Sequence, residues 1–304
     1  MKIIDAHTHI FDVLAGFGSC GELRPIGNGV ARWATGEEMA MIPPELGDRC
    51  FPAQTLASLL RDQGVEKAVL LQGGLYGFQN DATLAAAKAY PDLFIPSGTF
   101  DPFCDRAADL AERLLLKEHL RIMKFEASSG VGLMSNHPPF ALDGDVMAET
   151  FALMARVGAT LVLDIGSYGM GSYRPQAVAN IARRHPSMPI VVCHLTAPGP
   201  QDAEPLRQTL TTLRLPNVWF DLSAIPWNVA PEAYPYPTGQ AYIRMAKDLV
   251  GAEKLIWGTD VPVVLTRDTY SHLLSYLTES DIFTPSELEK VLYQNAVDAF
   301  QLPS

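Results

Sequence analysis

The sequence predicts an α/β protein of the (β/α)8 TIM barrel class, and three observations carry that expectation. Short apolar runs rich in Val, Ile, Leu and Phe recur along the chain, stretches of helical period separate them, and the runs number eight. Barrels of roughly 250 residues commonly form one domain, so residues 1–304 are read as a single barrel domain. An open doubly wound sheet would carry a glycine-rich turn after its first strand, and MKIIDAHTHIF leads into none.

Taken in order, the expected strands are KIIDAHTHI (2–10), KAVLLQ (67–72), FIPSGT (94–99), RIMKFE (121–126), TLVLDI (160–165), IVVCHL (190–195), VWFDL (218–222) and LIWGT (255–259). Helical patterns fall between them at 55–63, 82–90, 106–117, 146–156, 176–184 and 239–250, and another closes the chain at 285–300. The longest interruption, 12–54, is rich in Gly and Pro. A structureless stretch of that length is uncommon unless it serves the site, so it reads as a lid or wall inserted after the first strand. A second long loop follows the seventh strand at 225–237. With Trp227, Tyr234 and Tyr236 among prolines, it reads as a rigid aromatic wall.

Composition narrows the function. Hydrophobic residues at 48% and charged residues at 19% describe a globular chain rather than a disordered one. A net charge of −11 without a basic cluster argues against nucleic acid and anionic membranes as partners. Neither a signal-peptide h-region nor a long apolar span is visible, so a soluble, cytoplasmic protein acting on a small molecule is expected. Cys20, Cys50, Cys104 and Cys193 are scattered without CxxC pairing, which supports neither a zinc knuckle nor a disulfide framework. Cys193 and His194, adjacent on an expected strand, should face opposite sides and not form a nucleophilic pair.

Chemistry in such a barrel sits at the C-terminal ends of the strands. His7 and His9 are two apart on an extended strand, so both imidazoles project from one face and can reach one ion. A lone HxH is ordinarily satisfied by backbone partners; here it has company. Asp164 ends the fifth strand, His194 the sixth and Asp260 the eighth, each after an apolar run where a charge is costly without an ion or partner. Lys124 and Glu126 share one face at the end of the fourth strand. Lys124 can pair with a neighbouring carboxylate or hold an anionic substrate.

MKIIDAHTHIF, IVVCHLTAPG, NVWFDLS, LIWGTDVP and the terminal VLYQNAVDAF together resemble the amidohydrolase superfamily. The likeness is to its amidohydrolase-related (amidohydrolase 2) branch, which also contains aminocarboxymuconate semialdehyde decarboxylase, and it covers essentially the whole chain. The resemblance implies that His7, His9 and Asp260 bind a divalent metal, zinc first and manganese second. It also implies that Asp260 accepts a proton from water and that His194 polarises substrate or acts as acid or base. Some relatives use a lysine or glutamate at the fourth strand to bridge two metals, the position of Lys124 and Glu126 here. The departure is at the fifth strand, where family members place a histidine and this chain has Asp164. Asp164 is then a harder ligand, a residue orienting a ligand, or a structural carboxylate.

The expected activity is hydrolysis of a C–N or C–O bond in an amide, cyclic amide or lactone. Non-oxidative decarboxylation of an unsaturated or aromatic acid on the same site is the alternative, and a non-catalytic metabolite-binding barrel the lesser one. Arg24, Arg32, Arg174 and Arg267 are candidate substrate clamps by loop position, with Trp227 as a further wall. The apolar residues of the two long loops suit a homo-oligomer contact.

Overall fold

The structure, a computed structural model, describes residues 1–303. Eight parallel strands are present: β1 (Ile4–Thr8), β6 (Lys67–Leu70), β7 (Phe94–Pro96), β8 (Ile122–Glu126), β9 (Thr160–Asp164), β10 (Ile190–Val192), β11 (Val218–Asp221) and β12 (Leu255–Ile256). They form two ladders, β1-β6-β7 and β8-β9-β10-β11-β12. At one seam Gly98 accepts from Lys124 N and donates to Ile122 O, both at 2.9 Å. At the other, His9 N donates to Val261 O at 2.9 Å and Asp260 N to His7 O at 2.7 Å. Isolated parallel bridges mark the same two places, Gly98 with Met123 and Thr8 with Val261.

What fills the ring is legible in the side-chain alternation. Ile4, Val69, Ile122, Val162, Val191 and Ile256 form one apolar cluster with Phe300 of the last helix, and Ile95 and Trp219 complete it, so every barrel strand contributes a residue. A second, larger cluster packs the outer strand faces against the helices. The strands are shorter than the apolar runs suggested. In particular, 193–195 and 257–260 leave extended geometry, which puts His194 and Asp260 on turns rather than on strands. The expected helix at 106–117 divides into Ala107–Glu112 and a wide turn, Arg113–Lys117. The one at 285–300 likewise has a wide turn at Lys290–Gln294, and helices Ala203–Thr212 and Tyr270–Thr278 complete the ring.

The insertion at 12–54 is not structureless. It folds as an antiparallel meander of β2 (Gly16–Gly18), β3 (Gly21–Gly27), β4 (Val30–Trp33) and β5 (Glu38–Ala40). Backbone bonds tie it to the barrel mouth: Ala15 N to Tyr76 O, Phe17 N to Gly74 O and Ser19 N to Gly130 O. The loop after β11 contains a short helix, Ile225–Asn228, that carries Trp227.

One glycine fixes the distance between the first and last strands. A Cβ on Gly258 would stand 2.9 Å from His7 N and 3.0 Å from His7 Cβ, closer than packed atoms tolerate. Gly258→Ala is expected to cost about 1–3 kcal/mol by overpacking and to displace His7. Thermal unfolding read together with metal content checks it, and a variant unchanged in both would contradict this packing account.

Candidate active site

Six of the eight strands deliver an ionisable side chain to the open end. His7 is fully buried on β1, where a bulge between Asp5 and Thr8 re-aims the strand, and His9 follows it. Their rings lie 5.0 Å apart, and those of His7 and His194 stack at 4.6 Å. Lys124 and Glu126 come from β8, Asp164 from β9 and Asp221 from β11, while His194 and Asp260 sit on the turns after β10 and β12. Both turn residues adopt left-handed backbone, φ +57° and +74°, and Leu195, Thr196 and Ala197 extend the first such run. Non-glycine residues in this region cost on the order of 1–3 kcal/mol each, and they cluster where surrounding structure holds functional groups in place.

Second partners set the tautomers. His9 Nδ1 is 3.0 Å from Leu71 O, a carbonyl that can only accept, so Nδ1 carries the proton and Nε2 a lone pair. That lone pair faces Asp260 Oδ1 at 2.9 Å. His7 Nδ1 donates to Asp221 Oδ2 at 2.6 Å, which leaves His7 Nε2 as an acceptor 3.5 Å from the same Asp260 oxygen. Burial lowers the pKa of both imidazoles, that of His9 to about 3, so neither carries a second proton at neutral pH. Burial opposes ionisation of Asp260, but the His9 hydrogen bond and the His194 and His7 fields outweigh it and hold the carboxyl well below its ordinary range. Two imidazole lone pairs and a carboxylate oxygen therefore converge with no proton between them, all within 4.8 Å of one another. In this structure the Lys124 ammonium partly answers that need, donating to His7 Nε2 at 3.2 Å.

Outside that group stands a second pair. His194 Nδ1 is 2.8 Å from Ser223 Oγ, and its Nε2 is 3.6 Å from Asp164 Oδ2. Burial works against its charge, yet Asp260, Asp164 and Asp221 together raise its pKa. Asp164 Oδ1 accepts from Gly166 N at 2.7 Å. Asp164 is thus not among the three mutually close donors, and it couples to His194 instead. Glu126 is paired across the ladder with Asp164 and accepts from Gly74 N at 2.6 Å; burial first, then the Asp164 charge, raise its pKa.

A cavity of about 600 Å³ opens over these groups. Trp33 and Met39 of the insertion, Trp227, Met170 and Leu75 supply much of its apolar wall. Of the arginines considered from sequence, none lines it. Arg24 bonds the Gly16 and Leu23 carbonyls, Arg32 pairs with Glu38, Arg174 bonds Gly171 O, and Arg267 covers Trp227 from behind at 3.5 Å. Tyr234 and Tyr236 face a separate cavity on the far side of Trp227, so of that loop's three aromatic residues only the tryptophan walls the site. Cys193 and His194 do not diverge as strand neighbours would, because the chain turns at Cys193; donor atoms of both lie within 4.8 Å of one in His7. Burial raises the Cys193 thiol well above its ordinary value, which opposes formation of the thiolate.

Two residues that carry the site went unassigned in the sequence. Asp221 holds His7. Asp5, fully buried, accepts from Thr259 N and Oγ1, Tyr270 OH and His7 N at 2.6–3.2 Å and so ties the first strand to the last turn. Both end or interrupt apolar runs, as Asp164 does, and only the pairing distances distinguish their tasks.

A filled parallel barrel with imidazoles, carboxylates and one ammonium gathered at its C-terminal mouth defines a barrel enzyme of the hydrolase and lyase kind. The chain belongs to the amidohydrolase family, whose model matches residues 4–302. No curated protein sequence matches it. Among solved structures it is similar to a zinc-bound amidohydrolase of Burkholderia multivorans, at 18% identity over 100% of both chains with a TM-score of 0.73. It is similar also to a probable 2-pyrone-4,6-dicarboxylic acid hydrolase of Acinetobacter baumannii, at 19% identity over 99% of this chain and 100% of that one, TM-score 0.71. A third, 5-carboxyvanillate decarboxylase of Sphingomonas paucimobilis, shares 16% identity over 81% of this chain and 82% of that one, TM-score 0.58. Among the described residues no helix is long and apolar enough to cross a membrane.

Proposed function

We propose that this enzyme hydrolyses a C–O or C–N bond of a small lactone, amide or cyclic amide, with one divalent metal held by His7, His9 and Asp260. The observation that carries the reading is the meeting of His9 Nε2 and Asp260 Oδ1 at 2.9 Å, two acceptors with no proton to share. A cation satisfies that arrangement, and the donor set of two imidazoles and a carboxylate suits zinc. A bound ion of this kind acidifies water and polarises a carbonyl.

The chain's own groups do the rest. Asp260, at the floor of the cavity, accepts the proton of the attacking water as its oxygen bonds to the carbonyl carbon. His194, whose pKa burial lowers but the Asp260 and Asp164 charges raise on balance, delivers a proton to the departing oxygen or nitrogen as the C–O or C–N bond breaks. Asp221 and the Leu71 carbonyl fix the two metal-facing imidazoles. Asp164 is assigned to His194 rather than to the metal.

Metal analysis of purified protein, with turnover of a lactone and amide panel before and after chelation, tests the proposal. The expected result is one divalent ion per chain, activity lost on chelation and restored by zinc or manganese, and stability lowered by about 2.7 kcal/mol relative to protein holding metal at a hundred times its Kd. Activity indifferent to chelation would sink it. Release of carbon dioxide from aromatic acids, with no lactone or amide cleaved, would assign the site to decarboxylation.

A further inference from the structure

Trp227 stands between two cavities. It lines the one that holds the ionisable groups and also the one beyond it, whereas Arg267 lines only the outer. The guanidinium carbon lies 3.5 Å from the centre of the indole, so a planar cation covers one face of the ring. The adjacent Asp268 does not draw that cation away, because its carboxylate is taken up by His272 at 2.6 Å. Arg267 is thus a brace behind an aromatic wall.

The backbone under the indole is constrained as well. Trp227 belongs to the short helix Ile225–Asn228 and follows Pro226, whose ring fixes its own φ. Asn228 N donates to Ala224 O at 2.9 Å, and Ala230 N to Trp227 O at 3.2 Å. With one face covered and the backbone tied, the surface that Trp227 turns to the reaction cavity is flat and held in advance of any ligand. Trp33 of the meander, Met39 and Met170 border the same cavity. Indoles and thioethers both favour an aromatic partner over a saturated one of similar size, the indole by offset stacking and the sulfur by contact at the ring edge.

We infer that Trp227 is a stacking platform for an aromatic ring of the substrate and that Arg267 is the positioning residue holding it, so that the bond cleaved belongs to an aryl-fused or aryl-bearing lactone or amide. The inference rests on the hydrolase reading for the reacting bond and on the Trp227 and Arg267 geometry for the ring.

The lactone 3-isochromanone and its ring-saturated counterpart share a reacting bond and differ in the flat ring. With metal-loaded enzyme, the aromatic lactone should be preferred in kcat/KM by about three- to tenfold, the factor that an aromatic pair produces beyond its area. Trp227→Leu should bring the preference to near one. Arg267→Met should lower it, chiefly through a higher KM for the aromatic lactone. Each variant is scored by the ratio of two substrates on one protein, so a general loss of activity or folding does not move the result. An unchanged ratio in Trp227→Leu would overturn the platform, and an unchanged ratio in Arg267→Met would overturn the brace. Calorimetric binding of β-tetralone and β-decalone, ketones that cannot be hydrolysed, reads the same preference without turnover. Tighter binding of the aromatic ketone by the parent and not by Trp227→Leu supports the platform even if no lactone is cleaved. Equal binding of the two ketones by the parent overturns it even if hydrolysis is found.

Discussion

Asp260→Asn should abolish turnover while leaving the metal-free protein as stable as the parent, or more so. The substituted amide can donate to His9 Nε2 where the carboxylate could only confront it, so an acceptor–acceptor contact at 2.9 Å becomes a hydrogen bond. Asparagine also tolerates the left-handed backbone of this position, φ +74°, which alanine would meet with strain. What is lost is a charged metal donor and the proton acceptor, and a fall in kcat of at least about 1,000-fold is expected, within the range assigned to general-base catalysis. Steady-state kinetics and thermal unfolding in chelator are the two measurements. Retained turnover would remove Asp260 from the chemistry, and a metal-free variant less stable than the parent would show that the two acceptors are not opposed.

Asp221→Ala should act in the opposite way, on folding as much as on activity. His7 and Asp221 are both buried, their atoms 2.6 Å apart, and deleting one partner strands the other, at a cost of about 3–5 kcal/mol. Metal affinity should fall by about 10–100-fold as His7 loses the partner that orients it. The pH dependence carries a further signature. Burial opposes the Asp221 charge, yet the field and hydrogen bond of His7 hold its carboxyl at about 2, below the ordinary 3.8. A carboxyl lower in the folded than in the unfolded chain stabilises above the ordinary value, and that stability is lost as pH falls through the folded one. The parent should therefore lose stability between about pH 4 and pH 2 in a limb that the variant lacks. Denaturant unfolding across that range decides, and superimposable profiles would refute the assignment.

Much of this architecture was readable because it rests on period and position. Each apolar run has one strand's length, and the HxH near one end and the Asp260 turn near the other are short-range patterns at strand ends. The strands within the insertion were not legible, for a physical reason. Its strands carry Gly16, Gly18, Gly21, Pro25 and Gly27 and expose part of their residues, so they lack the apolar density that marks a barrel strand. The substrate arginines were misplaced because loop position says nothing of which carbonyl a guanidinium will find. The division of labour between Asp164 and Asp221 was equally invisible, since it depends on register between distant strands.

The antiparallel meander enters and leaves the chain between β1 and the first helix, contributes Trp33 and Met39 to the cavity, and supplies no ionisable group to its floor. Part of the cavity wall and the ionisable groups of its floor are thereby carried on separable parts of the molecule. Selection, natural or in the laboratory, can exchange one excursion of the chain and alter which molecule is admitted while the reacting groups on the ring keep their positions. A lineage built this way diversifies its diet without reinventing its chemistry.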